Sequence, residues 1–211
     1  MRHLLDECPA PVFLEKLGQR INLKSAADWQ REAGPEGLHL GIHPQPSAGQ
    51  VYVGAAPALG RLDPDMLRGA AQLARTFGDG TLRFTPWQSL LLPDVREADA
   101  VQVLDELSKL NLLTHVEDPL AQLIACTGSK GCGKGLADTK HDARRLATLL
   151  PHAVDVHLSG CPRSCAAAHR AAVTLLAVGP GHYDLYFRDA ALPGFGALHA
   201  HNLTIEAAAT L

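Results

Sequence analysis

The sequence predicts an α+β fold built in two successive parts. Three observations point to it. Residues 51–116 alternate short apolar runs with amphipathic helical segments. From Pro119 a second unit repeats that alternation. Four of the five cysteines fall in this second unit, as two pairs, each in a loop-like segment that follows a strand-like run.

Residues 1–47 contain one helical stretch, roughly 11–21. They then pass through Gly34, Pro35, Glu36 and Gly37 and through His43, Pro44, Gln45 and Pro46, which read as a linker. Residues 51–55 form a buried strand. Asp63 and Pro64 supply an N-cap and a proline at the first helical position. The apolar pattern Met66, Leu67, Ala70, Leu73, Ala74 carries that helix to about Phe77, and Gly78 with Gly80 stops it. Residues 81–85 and 89–92 are short strands either side of Pro86 and Trp87. A second helix, about 97–110, places Ala100, Val101, Leu104 and Leu107 on one face, and residues 112–116 close the set as a strand. The order is βαββαβ, the ferredoxin-like topology, which by itself implies no iron–sulfur chemistry.

The second part opens with a strand at 120–125 leading into Cys126. A helix over about 135–150 separates the cysteine pairs, and a strand at 154–158 ends at the second pair. Strands at 172–178 and 182–188 follow, joined by Gly179, Pro180 and Gly181. The expected division is therefore a helix and linker at 1–47, a ferredoxin-like half-domain at 48–118, and an α/β unit at 119–211. Each cysteine pair then sits just after a strand, where a scaffold presents it rigidly.

Composition narrows the function classes. With 211 residues and 46% hydrophobic content the chain can bury a substantial core, and a net charge of −3 gives no general preference for nucleic acid. The first twelve residues lack the apolar core of a secretory signal, and no apolar run approaches the roughly 18–20 residues of a membrane span. An odd number of cysteines argues for a reducing, cytoplasmic setting rather than a disulfide framework. Cys8 stands outside the clustered set and reads as a plain thiol.

The spacing is Cys126-x5-Cys132, then 28 intervening residues, then Cys161-x3-Cys165. Four thiolates suit a 4Fe–4S cluster, and nearby glycines let backbone N–H groups approach cluster sulfides closely. Structural zinc is an alternative, but zinc knuckles use shorter spacings, which only the second pair matches. Unligated or redox-active cysteines are a third reading.

These same residues carry a resemblance. Cys-x5-Cys followed by Ser159, Gly160 and Cys-x3-Cys is similar to the cluster signature of the sirohaem-dependent sulfite and nitrite reductase family. Upstream, the stretch from Leu82 to Leu92, with Arg83, Thr85 and Gln88, resembles that family's Arg-x-Thr-x-x-Gln strand motif. Downstream, Val173 to Gly179 and Gly181 to Tyr186 resemble the strand pair after the second cysteine pair. The resemblance spans about residues 48–190 and covers only the second, cluster-bearing half of full family members. Within the family, Gly54 to Leu62 and Arg83 to Trp87 look closest to the precorrin-3B synthase branch.

The resemblance implies an α/β cluster-binding domain of the nitrite/sulfite reductase type at 119–211, binding a 4Fe–4S cluster and a tetrapyrrole. Cys126, Cys132, Cys161 and Cys165 are the implied ligands, with Cys165 bridging to sirohaem iron if a sirohaem is present. The implied activity is oxygen-dependent hydroxylation and lactone formation on precorrin-3A in cobalamin biosynthesis, a monooxygenase reaction on a tetrapyrrole. NADH would act through a reductase partner, and a non-haem iron is a further implied cofactor. The alternatives are half of a sirohaem sulfite or nitrite reductase, and a non-catalytic iron–sulfur or zinc module for electron transfer or assembly. A second half or oligomeric partner is expected.

Tetrapyrrole carboxylates require cations, and arginine favours bidentate contacts. Arg83, Lys130, Lys134 and Arg163 are the expected carboxylate partners, with Arg170 nearby. Thr85 and Gln88 can hydrogen-bond a carboxylate, and Trp87 can stack on a ring. His141, Asp142, His169, His199 and His201 reproduce no two-histidine, one-carboxylate spacing, so no histidine is assigned to metal. No strand–GxGxxG–helix context for a dinucleotide is present.

Overall fold

The computed structural model describes residues 2–21, 37, 39–168 and 171–210. Residues 34–36 of the expected linker, His169 and Arg170 lie outside these. The chain divides into two units, residues 1–36 and 37–211. The first holds α1 (Arg2–Glu7) and α2 (Ala10–Gly18), separated by Pro9. The single helix expected at 11–21 is thus shorter, and α1 was not anticipated. Cys8 sits between the two helices, half-buried.

The second unit opens with β1 (Gly41–Pro44), inside the stretch read as linker. It pairs antiparallel with β2 (Gln50–Pro57), placing His43 opposite Tyr52. Pro44 is compatible with a strand here because β1 is an edge, where a missing N–H costs no ladder bond. Then come α3 (Pro64–Phe77), β3 (Arg83–Phe84), β4 (Leu90–Arg96), α4 (Ala100–Lys109) and β5 (Leu112–Leu113). The sheet order is β1-β2-β4-β3, and β5 pairs with the far end of β2. The βαββαβ order holds, although its last strand is two residues long rather than the expected five.

Each element follows from its residues. Asp63 caps α3, its Oδ1 accepting from the N–H groups of Asp65 and Met66 at 2.9 Å each. Ala70 and Ala74 of α3, with Val103 and Leu107 of α4, meet Val53, Leu90, Leu92 and Val95, all completely buried. That apolar contact fixes both helices on one face of the sheet.

A second sheet contains β6 (Leu123–Ala125), β7 (Val156–Ser159), β8 (Val173–Gly179), β9 (His182–Phe187) and β10 (Ala197–Leu203), in the order β10-β9-β8-β7-β6. The strands β6, β7 and β8 are parallel, and β8, β9 and β10 antiparallel. Helix α5 (Thr139–Ala147) crosses from β6 to β7, as a parallel pair requires. It is shorter than the expected helix because residues 126–138 are spent on the cysteine loop. Leu146, Leu158, Leu175 and Tyr183 form the core under this sheet. The strand β10 and helix α6 (Ile205–Ala208) were not anticipated. Among the described residues no helix is long and apolar enough to cross a membrane.

Candidate functional site

Because β6 and β7 are parallel neighbours, the chain leaves both at the same end of the sheet, Ala125 beside Leu158. The two cysteine loops therefore start side by side. Cys126 N–H donates to Leu158 O at 3.2 Å, and Leu136 N–H donates to Gly160 O at 2.9 Å. The first loop also folds on itself: Cys132 N–H donates to Gly128 O at 2.9 Å and Ser129 N–H to Ala137 O at 2.8 Å.

Cys126 is at the centre of this junction. Its Sγ accepts the Gly160 N–H at 3.1 Å and lies 3.7 Å from Thr139 Oγ1. Thr139, fully buried, donates its hydroxyl to Cys126 O at 2.8 Å. A Cβ on Gly160 would stand 3.3 Å from Cys126 Sγ, 3.3 Å from Gly135 Cα and 3.5 Å from Gly128 Cα. Three glycines thus let two loops and one sulfur approach more closely than side chains would permit. Cys161 is half-buried, and Cys132 and Cys165 are exposed. The second loop carries Ser164 at φ 51°, in the left-handed region.

Four thiols on two loops tied by backbone bonds, with a glycine cradle and an N–H aimed at one sulfur, fit a 4Fe–4S cluster in donor type and number. Among the described residues no three or more His, Cys, Asp or Glu side chains gather where one metal ion would be held.

A cleft of about 410 Å³ opens beside the cysteines, its wall including Arg61, Gln88, Cys126, Thr127, Lys140 and Cys165. An adjoining cleft of about 230 Å³ shares Gly60, Gln88 and Ala166 with it and extends to Trp87, His39 and Asp155. Gln88 (φ 60°) and Leu59 (φ 55°) both adopt left-handed backbone at this wall, a conformation that clusters at functional sites.

Lys140 and Arg61 are the cleft cations, and sequence reasoning did not select either. Lys140 Nζ donates to Leu59 O at 2.6 Å and Ala125 O at 3.0 Å. Burial holds its pKa below the ordinary lysine value, and the positive charges of Arg61 and Arg144 add to this, with Cys126 opposing. Its sequence signal was weak because it lies in the first turn of α5, where a lysine reads as a solvated helix charge.

The expected cations lie elsewhere. Arg83 is exposed on the short β3, and Lys130, Lys134 and Arg163 are exposed on the cysteine loops; none is among the residues lining either cleft. Thr85 Oγ1 bonds Ser89 Oγ at 2.6 Å within the hairpin turn, and Trp87, exposed, stacks on His39 with ring centroids 5.8 Å apart. His141 Nδ1 meets Asp142 Oδ1 at 3.2 Å, and His201 Nδ1 meets Asp184 Oδ2 at 3.3 Å, on separate elements. His199 packs edge-on against Phe187.

Residues 43–110 match the nitrite/sulfite reductase ferredoxin-like half domain. The chain is 33% identical over 183 residues to a chloroplastic ferredoxin–nitrite reductase of Zea mays, covering 78% of this chain and 31% of that protein. It is 34% identical over 178 residues to a ferredoxin–nitrite reductase of Synechococcus elongatus, covering 77% of this chain and 33% of that one. A sulfite reductase [ferredoxin] 2 of Mycolicibacterium paratuberculosis is 33% identical over 139 residues, covering 61% and 25%. The chain therefore spans about a third of the length of the first two relatives and a quarter of the third. In fold it resembles the Mycobacterium tuberculosis NirA protein, with a TM-score of 0.74 at 24% identity, over 98% of this chain and 42% of that one. Residues 43–110 thus form a ferredoxin-like half domain of the nitrite/sulfite reductase type, and more than three quarters of the chain aligns with ferredoxin–nitrite reductases.

Proposed function

We propose that this chain forms the cluster-bearing half of a ferredoxin-dependent nitrite or sulfite reductase site, with Cys126, Cys132, Cys161 and Cys165 holding a 4Fe–4S cluster. The observation that carries the reading is the junction of the two cysteine loops at Cys126, where a backbone N–H meets the sulfur at 3.1 Å. When bound, such a cluster supplies one-electron transfer to a neighbouring tetrapyrrole. The precorrin-3B synthase reading has less support, since the relatives described above are nitrite and sulfite reductases by name. For the same reason the electron donor is taken to be a ferredoxin rather than NADH through a reductase partner.

The chain's own residues divide the work. Cys165 and Cys126 both line the 410 Å³ cleft, so Cys165 can face a sirohaem while it holds the cluster. Arg61, exposed in that wall beside Gln88, replaces Arg83 as the first cation for a tetrapyrrole carboxylate. Exposed Lys130, Lys134 and Arg163 border the cysteines on the outer surface and suit the docking of an acidic electron donor. A second half, in a partner or in a longer protein, completes the macrocycle site.

The test is anaerobic reconstitution with iron and sulfide, followed by the visible spectrum and iron, sulfide and zinc analysis. A broad band near ~400 nm with cluster stoichiometry supports the reading; colourless protein with one zinc overturns it. Titration of the loaded chain with sirohaem and with precorrin-3A then separates the two tetrapyrrole readings. Arg61→Ala is expected to weaken binding of the preferred macrocycle with iron content unchanged.

A further inference from the structure

Lys140 sits half-buried at the start of α5. Arg61, Cys126 and Cys165 line the same cleft as Lys140. Among the described residues no carboxylate pairs with its ammonium; its hydrogen-bond acceptors are the carbonyls of Leu59 and Ala125. Ala125 immediately precedes Cys126, and Leu59 belongs to the connection between β2 and α3. The ammonium is thus fixed at both sides, in the wall of the cleft that Cys126 and Cys165 also line.

A half-buried charge interacts far more strongly than one in water. A cation held in place beside an iron–sulfur ligand favours the state with one more electron, and nearby charge is one of the factors that set cluster potentials.

Resting on the cluster reading above, we infer that Lys140 is a positioning residue for Cys126 that raises the cluster's reduction potential through its fixed positive charge. Two functions are combined in this side chain. Its N–H groups tie the half-domain connection to the end of β6, and its charge biases the electron towards the cluster. Substitution can separate them. Lys140→Gln keeps N–H donors and removes the charge; Lys140→Arg keeps both; Lys140→Met removes both.

The experiment is a dithionite titration of the reconstituted full chain with mediator dyes, followed by cluster absorbance and by electron paramagnetic resonance of the reduced form. At the potential where wild type is half reduced, the ratio of reduced to oxidised cluster is expected to fall by about tenfold in Lys140→Gln and Lys140→Met. In Lys140→Arg it stays within about twofold of wild type. An unchanged midpoint in Lys140→Gln with full iron and sulfide content overturns this inference alone. Wild type that takes up no iron and sulfide overturns the cluster reading as well. If Lys140→Met loses the cluster, Lys140→Gln decides. Loss of the cluster in Lys140→Gln as well assigns the residue to holding the site together and overturns the inference.

Discussion

The Gly160 N–H points at Cys126 Sγ from 3.1 Å, so residues 34 apart in sequence share one bond at the junction of the two cysteine loops. The bond exists because position 160 has no side chain to hold the loops apart.

Gly160→Ala is accordingly expected to lower stability by about 1–3 kcal/mol through overpacking and to reduce iron and sulfide uptake. Urea unfolding of the apo chain measures the first effect and metal analysis after reconstitution the second. If both stay at wild-type values, the close approach at Gly160 is not what holds the loops together.

Gly60 has φ +67°, and a Cβ there would collide with the side-chain oxygen of Gln88. Gly60→Ala therefore combines left-handed strain, about 1–2 kcal/mol, with displacement of Gln88 from the cleft wall. The double variant Gly60→Ala, Gln88→Ala should recover part of the loss, because it relieves the collision but not the backbone strain. Equal losses in single and double variants would mean that the collision contributes nothing.

Tyr183 is fully buried and donates its hydroxyl to Asp142 Oδ2 at 2.5 Å. Burial, with the Asp142 hydrogen bond and charge, pushes the phenol far above its ordinary value. A raised folded-state pKa leaves the contribution intact below the unfolded value of about 10 and removes it as pH climbs beyond that point. Tyr183→Phe should cost about 1.5–3 kcal/mol at neutral pH, the range for a hydrogen bond to a charged group. Its stability should also decline less than that of wild type above pH ~10. Parallel pH profiles for the two proteins would contradict the assignment.

Asp63→Ala removes the cap on α3, which is expected to cost about 0.5–2 kcal/mol. Cluster content should be unaffected, since Asp63 touches neither cysteine loop. Thermal unfolding and iron analysis together check this; a drop in iron would link α3 to the site.

Much of this was readable because strong periodicity and local chemistry agreed. Asp63 with Pro64 announced α3, the leucines of 90–92 announced β4, and the cysteine spacing marked the loops. The misses share a cause in weak or shared signals. Residues 41–44 carry a proline and read as linker, but an edge strand accepts one. Residues 197–203 are exposed along most of their length, so no alternation marked β10. Arg83 was favoured for its place in a strand motif, whereas Lys140 and Arg61 reach the cleft through the β2–α3 connection and the start of α5. No linear spacing encodes that meeting. The left-handed backbone at Leu59 and Gln88 is equally silent, because neither residue type signals it.

The parallel pairing of β6 with β7 has an engineering consequence. The distance between the two cysteine loops is fixed by the register of Ala125 against Leu158 and not by the length of chain joining them. The later part of that joining chain, between α5 and β7, is therefore a place where segments can be inserted, shortened or exchanged. A slip of one residue in the strand pair would instead reverse the faces of every side chain on the slipped strand. Grafting both loops onto another parallel sheet should preserve the site whenever the two-strand register and the chain through the start of α5, with Thr139 and Lys140, are copied.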